Sequence, residues 1–264
     1  MPCVDRGFYL YITQIMTLAI LSALPQEQSG LSACLQGAQR HVHAGRTFTT
    51  GTLHAQPVVL ALSGMGKVAA ATTATALIER FGVQQIVFTG VAGGIGEGVN
   101  VGDAVIATHY VQHDLDVSPL FPRWEVPGYG RALLECDKDL SDQLLQATRL
   151  CLGDAEGFLA TRRAAPQVHY GTLASGDQFI ALAEHAQRLR GDLQAGGHRV
   201  LAVEMEGAAV AQVCLDYGVT FAAVRTISDR ADDSAHIDFT DFLNNVASKY
   251  AERIVQALIC GMQK

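Results

Sequence analysis

The chain lacks any cluster of lysine and arginine: its 19 basic residues are outnumbered by 26 acidic ones, and the formal net charge is −7. Neutralising a phosphate backbone needs a basic face, so no nucleic-acid partner is expected. An apolar run of the roughly 20 residues that a membrane helix requires is also missing, so no membrane association is expected. Six cysteines (Cys3, Cys34, Cys136, Cys151, Cys214 and Cys260) form no C-x-x-C pair and no metal-finger spacing. Several sit in apolar helical patterns, where cysteine behaves as a small hydrophobe, and the expectation is of free thiols in a reducing cytosol. There is no Pro/Ser-rich linker, charge block, low-complexity run or solenoid-period repeat among the 264 residues, which favours one domain over two. Charged residues make up only 17% against 49% hydrophobic, so a sizeable core can form without disulfides or metals.

What is present alternates between strand and helix patterns. An apolar stretch at 17–24 reads as a buried parallel strand rather than a signal peptide, because only Arg6 precedes it and Pro25 follows. Residues 1–15 fall outside that pattern as a tail or an alternative start, with Met16 a sensible first residue, and 16–264 is read as the domain. A short helix is expected at 32–39, a hairpin over 46–53 and 56–63, and an Ala-rich helix over 67–80 stopped by Gly82. An apolar strand at 85–89 is expected to enter a glycine turn, Gly90-Val91-Ala92-Gly93-Gly94. Further strands are expected at 103–110, 170–175, 200–203 and 220–228, and helices at 137–152, 179–190 and 206–217. Leu243, Val246, Tyr250, Ile254 and Leu258 place an apolar stripe on a last long helix. Such alternation implies a mostly parallel sheet covered on both faces, with ligands bound beyond the carboxyl ends of the strands.

Four places lie just past strand ends: Glu27, the glycine turn, Glu204-Met205-Glu206, and Arg225 to Asp229. Asp229 follows eight mostly apolar residues; burial there would raise its pKa and suit it to act as an acid, or it caps the next turn. Glu204 and Glu206 flank a Met at a strand-to-helix junction. Either can grip a ribose diol, or both simply favour a helix N-terminus. Glu27 could take a proton from water, or open a helix on the surface. The glycine turn matches neither G-x-G-x-x-G nor a P-loop, which argues against dinucleotides and nucleoside triphosphates. His109 and His113 stand four apart, but on a strand pattern that spacing does not share a face, so no metal is expected. The segment from His113 to Trp124, with Leu115, Val117, Leu120 and Phe121, is too apolar for a solvated loop; it should meet a partner subunit or close a pocket.

Six ordered stretches resemble one family, the 5′-methylthioadenosine/S-adenosylhomocysteine nucleosidases of the purine nucleoside phosphorylase superfamily. They are Ser63-Gly64-Met65-Gly66-Lys67-Val68-Ala69-Ala70, Thr89-Gly90-Val91-Ala92-Gly93-Gly94, His113-Asp114-Leu115-Asp116-Val117, Ser175-Gly176-Asp177-Gln178-Phe179-Ile180, Val203-Glu204-Met205-Glu206 and Arg225-Thr226-Ile227-Ser228-Asp229. The resemblance implies an α/β three-layer sandwich, with a central mixed, mostly parallel sheet flanked by helices. It implies hydrolysis of the N-glycosidic bond of an adenine nucleoside with a 5′-thio substituent, without cofactor or metal. Asp229 would be the general acid and Glu27 the carboxylate that activates water. Glu206 would accept from the ribose diol, Met205 pack on the ribose, Phe179 stack on adenine and Ile180 offer backbone bonds to its edge. Arg225 and Ser228 would support the water site and orient the acid. Ala92 and Gly93 would also lie against substrate, and Met65, Val117, Leu120 and Phe239 would form the 5′-alkylthio pocket. The family's homodimers imply that the region from His113 to Gly130 reaches across to a neighbour's site.

This sequence departs from the family pattern at Val91 (often Ser), Leu24 (often Met), Pro25-Gln26 (often acidic) and Leu120 (often Phe), which bears on the 5′ preference. A phosphorylase is the nearest alternative, but the loop at 22–28 carries Glu27 and no Arg, leaving Arg46 as the only nearby cation for phosphate. The others are a hydrolase of another adenine-type nucleoside (futalosine-like) and a non-catalytic nucleoside-binding protein of the same fold.

Overall fold

The computed structural model describes residues 16–153, 165–232 and 235–263. The expected tail at 1–15 lies outside the described residues. At the centre is β1 (Leu18–Ser22), whose five residues LAILS are all buried. It pairs in parallel with β4 (Gln56–Leu62) on one side and β5 (Gln85–Gly94) on the other. A strand flanked on both edges and covered on both faces has no polar face to offer, which is why its sequence is a continuous apolar run.

Outward from β4 the sheet continues antiparallel through β3 (Arg46–Leu53) to β2 (Gln36–His43). This corrects the expected helix at 32–39: helix α1 (Pro25–Cys34) ends before it, and the rest is an edge strand. β2 is almost wholly exposed and polar, so it carries no alternation to read. Its conformation comes from the ladder to β3, a tertiary partner that outweighs weak local preference.

On the other side β5 pairs with β10 (Thr220–Asp229), which pairs with β6 (Ala104–Gln112), then β8 (Val168–Ser175), then β9 (Val200–Glu204). β9 returns to β5 through Gly93 and Gly94, along the edge that β1 leaves free. Five strands thus close into a ring, with the short β7 (Leu133–Glu135) added to β6. The expected glycine turn is therefore strand throughout, and its glycines let β5 coil sharply enough to change partners.

Helices α2 (Lys67–Phe81) and α5 (Gly207–Tyr217) cover one face; α1, α3 (Lys138–Gly153) and α7 (Ser248–Met262) cover the other. The α/β sandwich is as the sequence implies. Gly82 and Gly218 end α2 and α5 at φ of 61° and 65°, the left-handed C-cap where a Cβ is disfavoured. α4 (Ala183–Ala195) starts later than the expected 179, with Ala186, Leu189 and Leu193 setting its buried face. A short α6 (Ala235–Phe242) and a π-helical turn lead into α7. No helix of the described residues is long and apolar enough to cross a membrane.

Candidate active site

Where β1, β5, β8, β9 and β10 end, a cleft opens. Its floor carries acids at positions the strands dictate. Ser22 ends β1, the chain turns through Ala23 and Leu24, and α1 begins at Pro25, a residue suited to a first helical position because its missing N–H had no helical partner. That start brings Glu27 back over the strand end. Its Oε2 accepts the amides of Ala23 and Leu24, each at 2.8 Å, and Oε1 accepts the Val91 amide at 3.1 Å. Glu27 is only 2% exposed. Burial pushes its pKa up, against the pull of Arg225 and of those three amides. It is a helix-opening Glu as the plainer reading held, but it is buried rather than on the surface.

β10 runs as a buried strand from Phe221 to Asp229. Asp229 Oδ2 accepts the Ser228 hydroxyl at 2.8 Å and Oδ1 the Ala231 amide at 2.8 Å. Ala231 holds φ of 51°, a strained value for a residue with a side chain. Burial again raises the carboxyl pKa, outweighing both hydrogen bonds, and Asp238 and Asp232 add to the rise. β5 must pass close by: a Cβ on Gly93 would stand 2.9 Å from Asp229 Oδ1.

At the β9–α5 junction the two glutamates part company. Glu204 turns inward, accepting the Ser175 hydroxyl, the Gly207 amide at 2.8 Å, and Arg225 Nε and Nη2 at 3.2 and 2.5 Å. Glu206 instead reaches across the cleft, where its Oε1 accepts the Gly66 amide at 2.9 Å. Burial and the nearby Glu204 push its pKa up to about 8, despite Arg225. Buried carboxylates crowd one guanidinium here, and that crowding is part of what holds Glu206 above its ordinary value.

The structure gathers Met65, Ala92, Gly93, Phe179, Ile180, Met205, Glu206, Ser228, Asp229, Glu27 and Phe239 on one cleft. Phe179 and Phe239 meet edge to face at 5.6 Å across its mouth. Three residues expected against substrate do not line it. Arg225 lies beneath, 1% exposed, with its charge committed to Glu204 and its guanidinium 3.9 Å over the Phe88 ring. Val117 and Leu120 stand away from this chain's own cleft, and Leu120 is 79% exposed. Their segment leaves β6, and among the described residues nothing brings them back to the cleft. The lining also includes Ala23, Leu24, Val91, Gln178, Val203 and Glu204. Of these, Leu24, Val91 and Glu204 stood out in the sequence; Gln178 and Val203 lie in the stretches that carry the resemblance, and Ala23 has only its place after β1 to mark it.

Chemically, the cleft offers four carboxylates and no Lys, Arg or His among its lining residues. Among the described residues no three His, Cys, Asp or Glu converge as metal ligands would. The pair of raised-pKa acids, one held by Ser228 and one by backbone amides, can give a proton at one end and take one at the other. The apolar rim of Met65, Phe179 and Phe239 suits a flat ring and an alkyl group.

The family model that matches this chain is that of the phosphorylase superfamily, over residues 17–259. A 5′-methylthioadenosine/S-adenosylhomocysteine nucleosidase of Mycobacterium bovis is 36% identical over 256 residues, spanning 92% of this chain and 97% of its own. The nucleosidase of that name from Neisseria meningitidis, solved with methylthio-immucillin-A, superposes with a TM-score of 0.81 at 32% identity, covering 92% of this chain and 98% of that one. A futalosine hydrolase of Helicobacter pylori strain 26695 reaches 0.81 at 29% identity, covering 94% and 99%.

Proposed function

The chain belongs to the phosphorylase superfamily, and from that premise we propose that it is an N-glycosyl hydrolase of 5′-methylthioadenosine and S-adenosylhomocysteine. It releases adenine and the 5-thioribose product. One observation carries the choice of water over phosphate: among the described residues the cleft is lined by carboxylates and by no cation. Phosphate needs cationic or backbone donors, and the amides of Ala23, Leu24 and Val91 are already taken by Glu27. Arg46, the alternative anion site, does not line the cleft; its Nη1 and Nη2 donate to the carbonyls of Ala44 and Ala69.

In this reading Asp229, whose carboxyl is shifted towards its protonated form by burial, gives its proton to adenine N7 as the bond from C1′ to N9 breaks. Positive charge builds on the ribose, and water attacks C1′ while Glu27 takes its proton. The two-carboxylate logic is that of an inverting glycosidase. Glu206 holds the ribose diol, Met205 packs on the sugar, and Phe179 with the Ile180 backbone holds the base. Ser228 orients Asp229, while Arg225 acts on the water site through Glu27 and Glu204. Met65 and Phe239 receive the 5′ substituent. Val117 and Leu120 complete that pocket from a second copy of the chain, with the region from His113 to Gly130 at the interface; the exposure of Leu120 supports this. The enzyme is placed in the cytoplasm, where thiols such as Cys34, Cys136, Cys214 and Cys260 stay reduced.

Leu24 and Val91, two departures from the family pattern, both line the cleft. They favour, as the second reading, a related adenine nucleoside with another 5′ substituent.

The test is adenine release from 5′-methylthioadenosine in phosphate-free buffer. Equal rates with and without phosphate, with free 5-methylthioribose as co-product, are expected; release only with phosphate would overturn hydrolysis. Asp229→Asn should fold and lose about 10²- to 10⁴-fold in kcat, the usual worth of a general acid.

A further inference from the structure

Three charged residues beside the cleft are used by none of these steps: Lys67, Asp114 and Asp177. Each comes from a different segment, the start of α2, the exit of β6 and the exit of β8. Helix α2 opens without a cap of its own, since Gly66 at the N-cap has no side chain. Asp177 supplies one from 110 residues away, its Oδ1 accepting the Lys67 amide at 2.7 Å. The backbone of Asp177 is tied in turn, its amide donating to Asp114 Oδ2 at 2.9 Å. Asp114 Oδ1 then takes the Lys67 ammonium at 2.6 Å, and Gln112 Oε1 receives the same ammonium at 3.1 Å. Burial would raise the Asp114 carboxyl, but Lys67 and the Asp177 amide outweigh it and hold it below its ordinary value.

What this bridge joins gives it meaning. Immediately after Asp177 come Gln178, Phe179 and Ile180, the wall against which a flat base lies. Immediately before Lys67 is Gly66, whose amide holds Glu206 Oε1 at 2.9 Å. Gly66 sits at φ of 95°, and a Cβ there would lie 3.1 Å from Asp177 Oδ1, so the contact between the two segments is close. From this geometry we infer that Asp177 is a positioning residue: its carboxylate sets the spacing between the base-holding segment and the diol-holding carboxylate. Lys67 and Asp114 lock it in register. The substrate class is the one proposed above, on which this inference rests.

A ligand that touches one segment does not feel that spacing, whereas a nucleoside must satisfy both at once. Asp177→Ala is therefore expected to raise KM for 5′-methylthioadenosine about tenfold, the size of one charged hydrogen bond, with a smaller effect on kcat. The dissociation constant for free adenine, read by calorimetry, should stay within about twofold. Asp177→Asn keeps an acceptor oxygen for the Lys67 amide and should recover most of the loss. An unchanged KM in Asp177→Ala overturns the inference, and so does a parallel weakening of adenine and nucleoside, which a merely structural role would produce. If the wild type binds 5′-methylthioadenosine without cleaving it, the hydrolase reading falls by itself. The same comparison then stands on the dissociation constant of the intact nucleoside.

Discussion

Glu206 shows how burial and neighbouring charge act together on one side chain. Its pKa rises from 4.5 to about 8 through loss of water first and the nearby Glu204 second. For a carboxyl raised by folding, the stabilising contribution is fully present below the unfolded value near 4.5. It is lost as pH climbs through about 8, because the native state must then give up a proton it holds more tightly than the unfolded chain does. Glu206→Gln removes that titration while keeping an acceptor for the Gly66 amide. The difference in thermal midpoint between Glu206→Gln and wild type should therefore grow in the variant's favour from pH 5 to pH 9. Parallel profiles across that range would contradict the assignment. Gly90 acts at the same scale: a Cβ there would stand 2.7 Å from Arg225 Nη1 and 2.9 Å from Glu27 Oε1. Only a bare backbone lets these two groups approach.

Among the elements, α5 and β5 do most to place the chemistry. α5 starts at Gly207, whose amide bonds Glu204, and this start aims Glu206 outward while Glu204 turns in. The helix begins hard against β6, because a Cβ on Gly207 would lie 2.2 Å from the Tyr110 ring. Tyr110 is fully buried in the core packed between α2, α5 and the sheet and has nowhere to move. Gly207→Ala should cost about 1–3 kcal/mol, the usual penalty of overpacking, read as a lower urea midpoint. It should also raise KM, since the shifted helix start carries Glu206 with it. A variant as stable as wild type would mean that α5 can tilt away from β6. β5 matters for a different reason. Its passage from β1 to β9 through Gly93 and Gly94 closes the ring and brings the Asp229 and Glu204 strand ends to one cleft.

For the whole molecule, the question is what covers its exposed apolar surface. Leu120 is 79% exposed, Val68 78%, Met65 63% and Phe121 37%, large apolar side chains that two segments leave facing water. Met65 is at the cleft rim, while Leu120 is on the segment after β6. Under the proposed dimer, one protomer's Leu120 would finish its partner's 5′ pocket. Leu120→Asp should then lower the sedimentation mass toward that of one chain and raise KM for 5′-methylthioadenosine. A charge buried at such an interface, without a partner, is costly. A wild type that sediments at the mass of one chain would leave the cleft to be completed by this chain alone.

Much of this was legible in the sequence, and the limits follow from range. Buried parallel strands such as 85–89 and 220–228 announce themselves because both faces must be apolar, and Gly82 and Gly218 mark helix ends by the left-handed conformation that only glycine adopts freely. The carboxylates past strand ends were visible for the same reason: charge is conspicuous at the edge of an apolar run. β2 was not legible, since an exposed polar strand is held by its partner and has no period of its own. Nor was the path of β5 through its glycines, which depends on two neighbours competing for one edge. By itself the sequence determined an α/β sandwich with acids at the carboxyl end of its sheet. Only the tertiary structure decided that Glu204 would turn inward to Arg225 and Glu206 outward to the cleft. That choice rests on groups far apart in the chain meeting in a medium too dry to leave every charge in place.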